Sequence, residues 1–150
     1  MQTLIDFLVT ARRETYAIPT GTKIADGFSE MRFEQGDWRY RDRYTGINPY
    51  GGHEVIWHKG QVVWMKSYIA EIISDTRAPN EIYAFQREVL GKPDPEHLMR
   101  GPASYSNGSY SYENSVVGDL ARFHGEESIL FQGETVYRMM FHGGLIGHSE

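Results

Sequence analysis

Between Asp37 and Thr45 the chain alternates strictly, with Trp38, Tyr40, Asp42 and Tyr44 on one face and Arg39, Arg41, Arg43 and Thr45 on the other. A period of two marks a strand with one buried face, and the arginine side is expected to be the wet one. Two apolar runs then flank Lys59-Gly60, which predicts strands over 53–58 and 61–72 joined by a tight hairpin with Gly60 at positive φ. The same texture returns later and predicts strands over 109–117, 127–131 and 135–142, with Gln132-Gly133 as the second hairpin turn. Helical spacing occurs twice. Leu4, Phe7, Leu8 and Ala11 behind a capping Thr3 predict a helix over 3–16, and Ile82, Phe85 and Val89, stopped by Gly91 and Pro93, predict another ending at Leu90. Residues 17–33 and the stretch KPDPEHLMRGPAS, rich in Pro, Gly and polar residues, predict loops.

These patterns are written twice. With one extra residue in the second copy, the stretch 36–68 overlays 108–141: Trp38 falls on Tyr110, Tyr40 on Tyr112, Asp42 on Asn114, Glu54 on Glu127, Ile56 on Ile129, Trp64 on Tyr137 and Tyr68 on Phe141. Repetition at that level predicts an internally duplicated fold. The expected architecture is α+β: one domain over 1–150, two α-β-β-β halves at about 3–72 and 79–144, and an antiparallel sheet with both helices on one face. A cleft on the pseudo-twofold axis between the halves is the expected site.

Pairing across Lys59-Gly60 without irregularity places Glu54 with Ile56, Val63 and Met65, and Glu127 likewise with Ile129, Phe131 and Val136. A carboxylate among apolar neighbours is expected to have a raised pKa. Glu54 and Glu127 are therefore the catalytic candidates if the protein is an enzyme, a hydrolase or cyclase with a glutamate base and a tyrosine acid. Pairing with an arginine such as Arg138, or accepting from loop N–H groups beside Gly52 and Gly125, is the purely structural alternative. The expected ligand-binding set is Tyr40, Asp42, Glu54, Trp64, Tyr68, Tyr112, Glu127 and Tyr137, rings that would hold a flat or cationic molecule. For Asp42 and Asn114 a structural role is favoured, as hydrogen-bond partners of a neighbouring tyrosine or of a loop. HEVIWH has one residue too many for a zinc-binding HExxH, and on a strand His53 and His58 point to opposite faces. No metal and no cofactor is expected.

Composition narrows the class. The 150 residues contain no cysteine, which excludes a disulfide framework and a thiolate nucleophile and fits the cytoplasm. A formal charge of −5 disfavours direct nucleic-acid binding, so Arg39, Arg41 and Arg43 are read as a solvated strand face. No stretch is apolar for long enough to cross a bilayer, and no membrane partner is expected. The 3 Trp, 10 Tyr and 7 Phe point to a pocket or interface instead. A small-molecule-binding domain, a sensor or sequestering protein, is the leading expectation; a homodimer through an apolar sheet face containing Trp64 is another.

Together GDWRYRDRYTG, GGHEVIWHKGQVVWMKSY, RGPASYSNGSYSYENSVVGD and GETVYRMMFHGG resemble a DUF5680-like bacterial family of unknown function, often found behind XRE-type helix-turn-helix segments in transcriptional regulators. The resemblance runs from FLVTARRETYA to FHGG and implies a unit associated with regulators rather than a known reaction. This chain starts almost directly with its first helix, which argues against DNA binding of its own. By analogy, a duplicated α+β module next to DNA-binding domains is similar to GyrI-like effector-binding domains, where a glutamate and aromatic rings bind drugs or cations.

Overall fold

The structure is a computed structural model that describes residues 3–16, 21–92, 94, 96, 97 and 99–149. Helix α1 (Leu4–Thr15) opens with Thr3, whose hydroxyl accepts from the Asp6 amide while the Asp6 carboxylate accepts from the Thr3 amide, a reciprocal cap. Strands β1 (Thr22–Lys23), β2 (Ser29–Gln35), β3 (Trp38–Gly46), β4 (Tyr50–His58) and β5 (Gln61–Ile72) follow. Helix α2 (Pro79–Leu90) leads to β6 (Ser104–Asn107), β7 (Tyr110–Asp119), β8 (Arg122–Phe131) and β9 (Glu134–Leu145). The stop signal Pro93 and the loop signal Pro19 lie outside the described residues.

The duplicated two-half architecture is overturned. All nine strands join one antiparallel sheet in the order β1-β2-β3-β4-β5-β9-β8-β7-β6, and β5 is zipped directly to β9 from Trp64↔Leu145 to Ile72↔Tyr137. No cleft separates two bodies at that junction, because backbone hydrogen bonds fill it. Neither side is a helix plus three strands, since β1, β2 and β6 add to the meander. The loop reading of residues 17–33 missed β2, where Met31 and Phe33 alternate with Glu30, Arg32 and Glu34 and pair with β3 over Ser29↔Tyr44 to Gln35↔Trp38. Pairing with the adjacent β3 across the Gly36-Asp37 turn holds in the sheet a stretch whose own composition is polar. The GyrI-like analogy, which rested on the two-half fold, goes with it.

Both hairpin turns have positive φ at their two central residues, 51° and 80° at Lys59 and Gly60, 50° and 84° at Gln132 and Gly133. Such turns match the twist of the flanking strands. Each hairpin contains a bulge. Ile56 pairs with Trp64 but Trp57 with Val62, leaving Val63 as the extra residue; Ile129 pairs with Tyr137 but Leu130 with Thr135, leaving Val136 extra. These bulges reverse the facing assumed from regular pairing. Glu54 stands opposite Lys66 and shares its face with Ile56, Trp64 and Tyr68, while Glu127 stands opposite Met139 and beside Tyr137.

One face of the sheet, called inner here, takes both helices. Phe7, Leu8 and Ala11 of α1 and Ile82, Phe85 and Val89 of α2 are buried with Tyr40, Ile56, Trp64, Ile129, Met139 and Phe141 in a single core. The outer face bears Arg39, Arg41 and Arg43. Arg39 is exposed and Arg41 and Arg43 are half-buried, with Arg39 and Arg41 lying over Trp57 at 4.2 and 4.9 Å and Arg43 over Phe28 at 4.9 Å.

Candidate functional site

Two charge clusters are buried between the inner face and the elements over it. In the first, the fully buried Glu54 of β4 accepts from Arg12 Nη2 of α1 at 3.1 Å, pairs with Lys66 Nζ of β5 at 2.8 Å, and accepts from the Tyr16 hydroxyl. In the second, Glu127 of β8 accepts from Arg100 Nε at 2.9 Å, from Tyr112 at 2.6 Å and from Tyr137 at 2.9 Å. The segment after α2 is strapped to both. The Met99 carbonyl accepts from Arg12 and Lys66 at 3.1 and 3.0 Å, Arg100 reaches Glu127, and the Gly101 carbonyl accepts from Asn114 Nδ2 at 3.0 Å.

The expected raised glutamate pKa is overturned in both places. Burial alone pushes Glu54 up, but Arg12 and Lys66 outweigh it and hold the carboxyl far below its ordinary value. Glu127 is also lowered, with Arg100 and the hydrogen bonds from Tyr112 and Tyr137 overcoming burial. An acid held ionised by cations is a poor proton acceptor at neutral pH. Lys66 moves down, chiefly from desolvation, because Glu54 is shared with Arg12 and both Arg12 and Arg100 repel a third cation. Arg138, the arginine considered for Glu127, pairs with Glu126 on the outer face instead.

Next to the first cluster lies a cavity of about 320 Å³ between β3–β5 and α2. Tyr16, Tyr44, Tyr50, Tyr68 and Tyr83 wall it, with Asp42, Gln86, Arg87 and Arg100 as its polar side chains besides the tyrosine hydroxyls. The tyrosine hydroxyls are turned to partners within the protein: Tyr16 to Glu54, Tyr44 to the Gly21 amide, Tyr68 to Asp42, Tyr83 to the Ile47 carbonyl, and Tyr50 to Tyr137 and Gln86. Ring surfaces are thus left to line the space. Asp42 accepts from Tyr68 through Oδ1 at 2.6 Å, and among the described residues Oδ2 has no hydrogen-bond partner. Desolvation, then the nearby Glu54 charge, raise its carboxyl to about 7.

Of the residues expected to bind ligand, only Asp42 and Tyr68 line this cavity. Glu54, Tyr112, Glu127 and Tyr137 belong to the buried clusters. Tyr40 and Trp64 are fully buried core, the Trp64 indole donating to the Leu120 carbonyl at 3.1 Å, so Trp64 cannot form a dimer surface. The structural role favoured for Asp42 and Asn114 is present, since one bonds Tyr68 and the other the Gly101 carbonyl; Asp42 adds the free oxygen. Sequence reasoning missed Tyr16, Tyr50, Arg12, Lys66, Arg100 and the α2 wall. That wall had a signal: Tyr83, Gln86, Arg87 and Leu90 follow a helical i, i+3, i+4, i+7 spacing beside the apolar stripe of Ile82, Phe85 and Val89.

A family model described as a domain of unknown function, DUF5680, matches residues 42–146. The chain belongs to the DUF5680 family. The matched span begins at Asp42 and takes in both glutamates, Arg100 and α2, whereas α1 with Arg12 and Tyr16 precedes it. No curated protein matches this DUF5680 chain, and no solved structure does. Among its described residues no helix is long and apolar enough to cross a membrane, and no group of three or more His, Cys, Asp or Glu side chains is placed to hold a metal.

Proposed function

We propose that this protein binds a small, flat organic molecule carrying a cation or an N–H donor, in the tyrosine-walled cavity at Asp42. One observation supports the reading above the others. The described buried acids are Glu30, Asp42, Glu54 and Glu127, and Asp42 is the one with no ion pair while it opens onto a cavity. Buried carboxylates are ordinarily paired, so a free one among ring faces is matched to a donor supplied by a ligand. The volume is at the small end of the roughly 300–1,000 Å³ typical of ligand pockets, enough for a molecule of one or two rings. Resemblance to domains that follow helix-turn-helix segments, and a cysteine-free composition, favour a cytoplasmic sensor or sequestering role.

Calorimetry and thermal-shift titration with benzamidine and phenyltrimethylammonium test this. Binding strengthens from pH 6 to pH 8 as Asp42 ionises, and Asp42→Asn weakens it at least tenfold, about 1.4 kcal/mol. Equal affinity of Asp42→Asn and wild type for these probes, or no saturable binding of either, contradicts the proposal. The value of about 7 also favours a second reading, an enzyme with Asp42 as proton acceptor in place of the glutamates. Under that reading Asp42→Asn retains ligand and loses turnover.

A further inference from the structure

Both helices lie on the inner face, and no described element covers the outer one. At its centre Ile69 of β5 and Met140 of β9 stand in direct register, 68% and 64% exposed. A groove of about 810 Å³ runs over them, flanked by Ser67 and by His53, His124 and His142. Large apolar side chains paired at the middle of a wide bare sheet mark a contact surface more than a solvated one.

Charge is sorted about that centre. Toward β2 and β3 the outer face carries Arg32, Arg39, Arg41 and Arg43 against Glu30, Glu34 and the Asp26 carboxylate that pairs with Arg43. Toward β7 and β8 it carries Glu113, Asp119 and Glu126 against Arg122 and Arg138. Cations therefore exceed acids on one side and acids exceed cations on the other. Burial, and then repulsion from Arg43, hold the Arg41 guanidinium below its ordinary value, with Glu30 at 3.6 Å pulling the other way.

From this arrangement we infer that two copies of the chain stack outer face to outer face, with a twofold axis parallel to the strands beside Ile69 and Met140. Such an axis lays the β2–β3 side of each copy over the β7–β8 side of the other. A surface apolar at its centre and oppositely charged at its two flanks complements itself under that one operation, which is what an isologous dimer requires. A twofold across the strands would set arginine on arginine. Aligned stacking also suits two twisted antiparallel sheets, which pack about 10 Å apart at roughly −30°.

Sedimentation equilibrium of the full chain tests the inference. Wild type gives twice the 17.2 kDa of one chain. Ile69→Glu with Met140→Glu, both at exposed positions, weakens association at least tenfold with an unchanged circular-dichroism spectrum. Arg32→Glu with Arg39→Glu, and separately Glu113→Arg with Glu126→Arg, each weaken it, and an equimolar mixture of the two charge variants recovers a dimer. A wild-type monomer at every concentration overturns the inference. So does a dimer that Ile69→Glu with Met140→Glu leaves intact, or a mixture of charge variants that stays monomeric.

Discussion

Asp42 and Glu54 face each other across β3 and β4 in direct register, both buried, yet their environments drive them apart. Glu54 meets Arg12 and Lys66, whereas Asp42 meets a tyrosine hydroxyl and the Glu54 charge. The consequence for stability has a definite sign. A carboxyl at about 7 in the folded state and 3.8 in its ordinary state binds its proton more tightly when folded, so its ionisation lowers stability as pH rises from about 4 to about 7. Asp42→Asn removes that slope. Chemical denaturation at pH 5 and pH 8 should find the variant gaining on wild type by a few kcal/mol across the interval, and an unchanged difference would show that Asp42 is ionised throughout. The second cluster behaves differently on truncation. Glu127→Ala leaves the Arg100 guanidinium buried without its partner, and removing one side of such a pair costs about 3–5 kcal/mol, which denaturant midpoints would register.

At the scale of elements, the strap between α2 and β6 decides where the inner polar groups sit. Its residues read as loop from their Pro and Gly content, and among the described residues between Gly91 and Ala103 no regular element forms. Nothing in that composition announces that the Met99 carbonyl caps two cations or that Arg100 enters the core. Gly101 is the tight point, because a Cβ there would come within 2.5 Å of the Tyr112 hydroxyl. Gly101→Ala should therefore lift the strap, loosen the Arg100–Glu127 pair and lower the melting temperature by several degrees, roughly what 1–2 kcal/mol produces in a domain of this size; an unshifted melting curve would mean the strap moves aside freely. The strands were more legible. Alternation marked the interior of β3, apolar runs about Lys59-Gly60 marked β4 and β5, the recurrence of that pattern about Gln132-Gly133 marked β7, β8 and β9, and the Thr3 signal marked the start of α1. The bulges at Val63 and Val136 were not, since an extra residue in a hairpin leaves the apolar pattern readable while exchanging the faces behind it.

Across the whole molecule, the two glutamate clusters join elements far apart in the chain: α1 to β4 and β5, and the strap to β7, β8 and β9. Both carboxyls are held below their ordinary value, so each adds stability that is complete above about pH 4.5 and disappears as the pH falls toward the folded-state value. Acid unfolding monitored by near-ultraviolet circular dichroism should be steep, taking up protons at Glu54 and Glu127 together. Glu127→Gln should shorten that slope while leaving the Glu54 share in place, and an identical acid transition in the variant would remove Glu127 from the account.

From the residue pattern alone came local facts: the extended stretches of β3, β4, β5, β7, β8 and β9, the two helices, where their hairpins turn, and that Glu54 and Glu127 stand among apolar neighbours. Those follow from side-chain periodicity and turn chemistry, properties of a few adjacent residues. Only the tertiary structure decided that the meanders fuse into one sheet, that Arg12, Lys66 and Arg100 neutralise the glutamates, and that Asp42 is left as the open acid. Pairing of β5 with β9 and the ionisation of a buried group both depend on partners dozens of residues away, and no local pattern encodes which distant charge will arrive.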